Sequence, residues 1–327
     1  MLQSGILTFP DDEGRHMDAE TEWWYFNGRV EAEDGNRYAF MVAYTMNNIK
    51  YLIIVDIDNQ KHISMVDNKQ EVNYSKDKID LKYGDNWWKQ LGKPFTYEMH
   101  NQYGEMRLDL HLESLKPPLI LGEGRQGKVP MGKGGYSYWY AQTHLNIQGE
   151  LKLGDKKSTI HGKGWIDRQW GNWNWFGFGK WKWFNIQLDN NIEFEVVKIY
   201  EPITNRVLTS KFHIVHEDGT SEVFDRFKVV DLGHWRSPLT GETYSMGWKI
   251  KASEPEHDIE LVVTPYFREQ EVVKGFWEGS CKVTGIMDGK SVPGLSFVEL
   301  FNGTQASIPI KAICYVRAAL HSIFKKA

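Results

Sequence analysis

The chain has 327 residues, more than one hydrophobic core usually supports, so we expect two domains. Its net charge of −4 excludes the basic surface on which nucleic-acid binding depends, and no apolar stretch reaches the ~20 residues that cross a bilayer. Its two cysteines, Cys281 and Cys314, are too few for a disulfide framework and lack the spacing of a metal site.

The first half of the chain consists of short runs of β-branched and aromatic residues bounded by turn residues. Residues 22–30, a turn at 33–36 and residues 37–46 predict a hairpin, and the apolar run 51–57 predicts a strand buried on both faces. Further strands are predicted at 63–66, 96–100, 106–113, 138–148 and 158–165. The segment 116–135, rich in Gly and Pro, is predicted to be a functional or mobile loop.

The strand pattern then starts again, which predicts a second all-β domain. Its strands are predicted at 181–188, 193–200, 209–215, 221–230, 242–252, 258–265, 276–286 and 291–300. We place the domain boundary near Asp189, so that residues 1–188 form the first domain and residues 189–327 the second.

Residues 309–324 differ from the rest because their apolar side chains recur close to helical spacing. They predict a short C-terminal helix, which either closes a barrel end or uses its basic residues to contact a membrane surface or a partner. The N-terminal residues lack the basic and apolar segments of a secretory signal, so we expect a soluble and preferably cytoplasmic protein. The sequence does not indicate an oligomeric state.

Aromatic residues make up 14% of the chain, with 14 tryptophans. This fraction is the feature in which the composition departs most informatively from that of an ordinary globular protein. Large aromatic side chains either fill big β-sheet cores or form flat walls for an apolar ligand. Three classes of function are consistent with such walls. They are an enzyme acting on a hydrophobic small molecule, a carrier or sensor of a lipid-like ligand, and a carbohydrate-binding protein with exposed tryptophans.

Acidic residues precede the aromatic block of the first predicted strand. Alternate residues of a strand share a face, so Glu22, Trp24 and Phe26 point one way and Tyr25 the other. If the first face lies inside a barrel, the carboxyl of Glu22 enters an aromatic interior. Burial would then raise its pKa unless a cation or hydrogen-bond donors pair with it.

A second segment, residues 161–177, places an acid among tryptophans. Trp165, Asp167 and Gln169 share one face of the predicted strand, and Arg168 points to the other. Asp167 has two interpretations: an ordinary ion pair or turn cap, with Arg168 or Arg15, or a general acid that keeps its proton in apolar surroundings. Such an acid would protonate an alkene or polarise a carbonyl, and aromatic faces would stabilise the resulting cation by ~2 kcal/mol each.

Other catalytic motifs are absent from the sequence. It has no nucleophile elbow, zinc-protease helix motif, P-loop or dinucleotide fingerprint. Its histidines, His16, His100, His111, His144 and His161 among them, show no ligand spacing, so a metal site would require residues from distant strands. We therefore predict neither a metal nor a cofactor.

Four sequence blocks together resemble the AttH-like and carotenoid 1,2-hydratase superfamily. They are E-x-E-W-W-Y-x-x-G at 20–28, S-Y-W-Y-A-Q-T at 137–143, G-x-G-W-x-D-R-x-W-G at 162–171, and F-W-E-G at 276–279 leading to G-L-S-F-V-E-L at 294–300. The resemblance covers nearly the whole chain. It implies two lipocalin-type barrels packed together, with a ligand cavity that reaches the surface between them.

The resemblance also implies an activity, either hydration of an isoprenoid double bond or cyclisation without a cofactor. Asp167 matches the proton donor of the carotenoid hydratases, and we expect Glu22 to assist it. The chain departs from those enzymes at Trp165, where they have Tyr, and at Tyr138 or Tyr140, where they have His. The residues expected to bind the substrate are Trp24, Tyr138, Tyr140, Trp165, Gln169 and Trp277.

Overall fold

A computed structural model describes residues 2–4, 7–122, 124, 126–131, 135–173, 179–201, 204–224, 226–254 and 257–302. These residues form two large antiparallel sheets, two small hairpins and a single 3-10 turn. The all-β class and the two consecutive barrels are confirmed, while the predicted C-terminal helix lies outside the described residues. In the described part of the chain, no helix has the length and apolarity needed to cross a bilayer.

The first sheet follows a short N-terminal hairpin and the 3-10 turn Asp11–Glu13. Its order is β6-β5-β4-β3-β15-β14-β11-β10-β9-β8-β7, and two short strands, β12 and β13, also pair with β14. The strands of the hairpin and of this sheet are β1 Leu2–Ser4, β2 Leu7–Phe9, β3 Thr21–Ala32, β4 Arg37–Thr45, β5 Lys50–Asp56, β6 Lys61–Asp67, β7 Val72–Tyr74, β8 Asp80–Tyr83, β9 Asn86–Gln90, β10 Thr96–Tyr103, β11 Met106–Ser114, β12 Leu119–Ile120, β13 Lys128–Pro130, β14 Tyr136–Leu153 and β15 Lys156–Asn172.

The second sheet has the order β19-β18-β17-β16-β28-β26-β24-β23-β20, and two short strands, β25 and β27, also pair with β26. A separate hairpin, β21 with β22, lies between β20 and β23 in the chain. The strands are β16 Lys180–Leu188, β17 Glu193–Tyr200, β18 Val207–Val215, β19 Ser221–Phe224, β20 Phe227–Asp231, β21 His234–Arg236, β22 Thr243–Ser245, β23 Trp248–Glu254, β24 His257–Pro265, β25 Glu271–Val273, β26 Phe276–Met287, β27 Lys290–Ser291 and β28 Gly294–Phe301.

Each sheet curls around its own hydrophobic core. In the first sheet, Met65 of β6 and Val72 of β7 lie on opposite edges of the strand order and still belong to one buried cluster. In the second sheet, the ring centroid of Phe212 lies 5.9 Å from that of Phe224 in β19 and 5.6 Å from that of Phe227 in β20, the two edge strands. The second sheet is therefore nearly closed.

A third buried cluster joins the two barrels, because the outer faces of β3, β14 and β15 pack against those of β16 and β28. β3 and β16 are buried on both faces over most of their length, so apolar and polar side chains alike are enclosed there. Strands far from this interface, such as β11, alternate between buried leucines and exposed polar residues. Polar side chains also cross the interface: the Asn185 amide donates to Asn27 at 2.9 Å, and Gln187 donates to the carbonyl of Gly164 at 2.9 Å.

The change from one sheet to the other occurs between Asn172, where β15 ends, and Lys180, where β16 begins. The predicted boundary near Asp189 assigns β16 to the first domain, whereas β16 is hydrogen-bonded to β17 and β28 of the second sheet. The turn at Asn190 and Asn191 is a hairpin turn within the second barrel, and Asn191 adopts a left-handed φ of 59°.

Two glycines allow dense aromatic packing inside the first barrel. Gly28 and Gly164 pair with each other across β3 and β15. A Cβ at Gly28 would lie 2.7 Å from the Phe40 ring, and one at Gly164 would lie 2.9 Å from the Phe26 ring. The glycine-rich end of β15 therefore serves close packing, and the register shift lies in the neighbouring strand β14, between residues 142 and 145.

Candidate functional site

Asp167 lies in the interface between the barrels. In β15 it is paired with Tyr25 of β3 and Ala141 of β14, and all three face the second barrel. The residue is 5% exposed, and its Oδ1 accepts a hydrogen bond of 2.7 Å from the indole N–H of Trp139. Burial raises the pKa of Asp167 to about 8, against the opposing effect of the Trp139 hydrogen bond and with a further rise from nearby Glu299.

Three glutamates of the second barrel complete a set of four carboxyl groups in this interface. Each of the four accepts a hydrogen bond from an indole N–H or a phenol. Trp183 donates to Glu195 at 3.0 Å, and Tyr25 donates to Glu278 at 3.3 Å. We call the whole set the acid–indole cluster, and it comprises Asp167 with Trp139, Glu195 with Trp183, Glu278 with Tyr25, and Glu299 with Trp181.

Burial favours the protonated form of all four carboxyl groups in the acid–indole cluster. Burial raises the pKa of Glu195 and of Glu278 well above the usual range, and the pKa of Glu299 is also raised. Repulsion between Asp167 and Glu195 adds to this effect. Among the described residues, none of the four carboxyls forms an ion pair, so neutral carboxylic acids are the favoured state.

Aromatic rings surround the Asp167 end of the cluster. The Trp165 and Trp183 ring centroids lie 6.1 Å apart with the planes nearly perpendicular, and Tyr25 meets Trp183 in the same way at 5.5 Å. Buried ring faces attract a cation electrostatically. Glu195 Oε2 is buried and has no hydrogen-bond partner among the described residues, which leaves a polar position for water or a ligand.

A cleft of about 320 Å³ opens where β16 begins and β28 ends. Trp181 lines it together with Phe301, on which the Trp181 ring stacks at 4.1 Å. The Trp181 indole also donates to Glu299 of the acid–indole cluster. Trp181 therefore contacts both the cleft and one of the buried carboxyl groups.

Glu22 is placed apart from Asp167. The two residues lie on opposite faces of the β3–β15 pair, because Glu22 pairs with Trp170 and faces the interior of the first barrel. Its carboxyl forms ion pairs with Arg15 and Arg168. Burial alone would raise the pKa of Glu22, but the charges and hydrogen bonds of Arg168 and His16 together outweigh it, and the pKa is lowered. Glu22 is therefore a paired carboxylate, and this geometry gives it no direct role at Asp167.

The residues expected to bind the substrate fall in three separate places. Trp24 and Tyr140 belong to the core of the first barrel, and Tyr138 packs against it, whereas Trp277 belongs to the core of the second. Only Trp165 and Gln169 accompany Asp167 on the interface face of β15. The structure therefore does not bring these six residues together in one pocket.

The three glutamates of the cluster could not be recognised from the sequence pattern alone. Each stands near apolar or aromatic residues in a strand, as in Phe194-Glu195, Trp277-Glu278 and Val298-Glu299. An isolated acid in a run of strand residues was the available signal. Glu13 has no such signal, because it ends the 3-10 turn Asp11–Glu13 directly after two other acids. It lies inside the first barrel, where burial raises its pKa to about 7 and Gln142 donates to it at 3.1 Å.

These features define a two-barrel, lipocalin-like protein with four carboxyl groups buried between the barrels. A family model described as AttH-like matches residues 47–304. The chain therefore belongs to the AttH-like family. Comparison with curated protein sequences finds no significant match.

Two crystal structures are similar over almost their whole length. One is a protein of Nitrosomonas europaea assigned to AttH, with 21% identity and a TM-score of 0.79 over 93% of this chain and 98% of that one. The other is kievitone hydratase from Nectria haematococca, with 18% identity and a TM-score of 0.75 over 90% of this chain and 93% of that one. At these identities, the likeness shows a shared fold.

Proposed function

We propose that the acid–indole cluster adds water across a carbon–carbon double bond of an apolar polyene or isoprenoid, with Asp167 as the acid. The observation that carries this proposal is the buried Asp167 carboxyl, whose pKa of about 8 keeps it protonated at neutral pH. A general acid is most effective when its pKa lies near the working pH. The name of the structurally similar kievitone hydratase is consistent with a hydration reaction.

The reaction balances with water as the co-reactant. The Asp167 proton adds to the less substituted alkene carbon, and the π electrons form the new C–H bond. The other carbon becomes a carbocation beside the rings of Trp165 and Trp183. A water oxygen then forms the C–O bond, and one water proton passes to the Asp167 carboxylate, which restores the acid.

Glu195 supports this cycle while remaining protonated. Burial and the neighbouring Asp167 raise its pKa well above the usual range, which favours its protonated form. A neutral carboxylic acid beside Asp167 stabilises the transient Asp167 carboxylate better than a second anion would. Glu195 is in this sense a positioning residue, and Asp167 alone touches the reacting carbon.

The test is product formation from acyclic isoprenoid polyenes of increasing length in ¹⁸O-labelled water. We expect mass spectrometry to show one added water carrying the label. Asp167→Asn should lower kcat at least about 10²-fold, because an amide cannot supply the proton. The matched control is Asp109→Asn, which should keep full activity. Asp109 is an acid of the first barrel that pairs with His100.

Other outcomes identify the competing functions. An isomer of unchanged mass that forms only with an intact Asp167 would indicate cyclisation. Release of unchanged ligand, with no turnover of any polyene, would indicate a carrier. Carbohydrate binding is less favoured, because every described tryptophan is at least partly buried. Full activity of Asp167→Asn would contradict the role of Asp167 as the acid.

The pH dependence of kcat provides a second prediction. The acid form of Asp167 is required, so we expect kcat to fall as the pH rises through about 8. Trp139→Phe removes the N–H that stabilises the carboxylate, which raises the pKa of Asp167 further. The fall in kcat should then move up by about one pH unit. An unchanged profile in this variant would assign the titration to another group.

A further inference from the structure

Three side chains that can ligate a metal converge at one end of the second barrel. The ligand atoms of His216, Glu222 and His257 all lie within 4.8 Å of one another. His216 follows β18, Glu222 lies in β19 and His257 begins β24. These residues are far apart in the sequence, which is why spacing alone did not reveal them.

Strand register explains why the three side chains meet. Each lies two residues from a core residue on the same face: His216 from Ile214, Glu222 from Phe224, and His257 from Ile259. They therefore continue the inward-facing core to the barrel mouth, where the His257 ring lies 6.0 Å from that of Phe224. The cleft lined by Trp181 lies at the opposite ends of β16 and β17. The three residues at the barrel mouth therefore form a separate site.

The geometry leaves a gap that suits one ion. Glu222 Oε1 lies 2.8 Å from His216 Nε2 and 3.9 Å from His257 Nε2, and the second distance is too long for a hydrogen bond. Donors around a tetrahedral zinc ion with bonds of ~2.0–2.1 Å lie about 3.4 Å apart. A movement of about 1 Å in the exposed Glu222 side chain brings its Oε1 close to this spacing from both histidines, whose rings are partly exposed.

The surroundings also orient the ligands. Asp288 Oδ2 lies 2.9 Å from His257 Nδ1, which places the ring proton on Nδ1 and leaves the Nε2 lone pair directed toward Glu222. Such carboxylate–histidine pairs accompany most histidine metal ligands. The backbone carbonyl of His216 accepts a hydrogen bond of 2.8 Å from Lys116 of the first barrel, which fixes the position of that residue.

We propose that His216, Glu222 and His257 bind a divalent transition-metal ion of the zinc class, with water as the fourth ligand. Two imidazoles and one carboxylate favour such an ion over Mg²⁺ or Ca²⁺, which prefer all-oxygen sites. β19 is an edge strand that is not hydrogen-bonded to β24. The ion would link these strands across the barrel mouth, and its role is to stabilise the second barrel.

The test uses the untagged full chain after removal of metals with a chelator. We expect Co²⁺ to bind with one equivalent and to give the intense visible absorption of a tetrahedral site, and Zn²⁺ to displace it. Zn²⁺ should also raise Tm, because an ion that binds only the folded state stabilises it. Mg²⁺ at the same concentration should leave Tm unchanged.

Variants locate the site. His216→Ala and His257→Ala should each weaken Zn²⁺ binding at least 100-fold, and Asp288→Asn about 10-fold. His100→Ala is the matched control, since His100 also pairs with an aspartate, Asp109, but on the first barrel. Glu222 is exposed, so Glu222→Gln should weaken binding without disturbing the packing of the barrel.

Two results would overturn the proposal. One is the absence of saturable binding at one equivalent. The other is unchanged affinity in His216→Ala/His257→Ala, which would mean adventitious surface binding. If these alanine variants fail to fold, chemical modification of histidines in the wild-type protein decides the matter. Zn²⁺ should then protect His216 and His257 while His100 remains reactive, and equal reactivity of all three contradicts the site.

Discussion

Replacing Arg168 with methionine is expected to lower the free energy of unfolding by about 3–5 kcal/mol at neutral pH. The Arg168 guanidinium is completely buried in the first barrel. It donates to Glu22 Oε1 at 2.8 Å and to the backbone carbonyls of Gly14 at 2.6 Å and Trp23 at 2.8 Å. Its removal leaves the buried Glu22 carboxylate without one of its two arginine partners and two carbonyls without this donor, and each of these losses is costly.

Aromatic contacts add to this effect. The guanidinium carbon lies 4.2 Å from the ring centroid of Trp24 and 5.3 Å from that of Trp170. Methionine keeps apolar contact with both rings but loses the charge. The variant therefore reports mainly on electrostatics and hydrogen bonding, because most of the packing volume is preserved.

Arg37→Met is the matched control for this prediction. Arg37 also pairs with a carboxylate, Asp58, but its side chain is 49% exposed. Exposed ion pairs contribute little, so we expect a loss below about 1 kcal/mol. Urea denaturation followed by tryptophan fluorescence measures both variants. Equal losses in the two variants would show that burial does not increase the contribution of the Arg168 ion pair. If burial does increase it, Arg168→Met/Glu22→Gln should recover part of the stability lost in Arg168→Met.

Strands and their faces could be predicted from this sequence, because alternation in β3 and β15 is a local property. This alternation correctly predicts that Asp167 lies on one face of β15 and Arg168 on the other. It did not reveal that Glu22 and Arg168 face the same interior, since this depends on the register between two strands far apart in the chain. For that reason the ion pair of Glu22 with Arg168 could not be predicted from the sequence.

The interface between the barrels was harder to predict for a physical reason. A strand with two apolar faces, such as β3, does not indicate which face lies inside its own barrel and which meets another sheet. The three glutamates of the acid–indole cluster come from β17, β26 and β28, and only the packing of the second barrel on the first brings them near Asp167. The three metal-ligating residues of the second barrel meet for a similar reason, because its sheet curls.

Asp167→Asn is expected to stabilise the protein at alkaline pH, although it removes the proposed acid. The pKa of Asp167 is raised from 3.8 to about 8 on folding, so between these values the folded state holds a proton that the unfolded chain has released. A state that binds more protons loses stability as the pH rises. The wild type should therefore lose stability from about pH 4 to about pH 8, whereas asparagine has no proton to lose.

The expected gain of the variant over the wild type is near zero at pH 4 and up to about 5 kcal/mol at pH 8 to 9. Part of it comes from Glu195, which no longer faces a developing anion. The amide oxygen can still accept the Trp139 hydrogen bond, so packing should change little. Urea denaturation at a series of pH values measures the difference.

Asp58→Asn provides a control of opposite sign. The pKa of Asp58 is lowered by its hydrogen bonds with Arg37, so its ionised form stabilises the folded state above its usual pKa, and the variant should lose slightly at neutral pH. A parallel decline of wild type and Asp167→Asn between pH 4 and 8 would show that Asp167 ionises freely. A variant that gains stability while losing activity would instead show that the chain keeps a destabilising acid for its chemistry, since selection for stability alone would replace it.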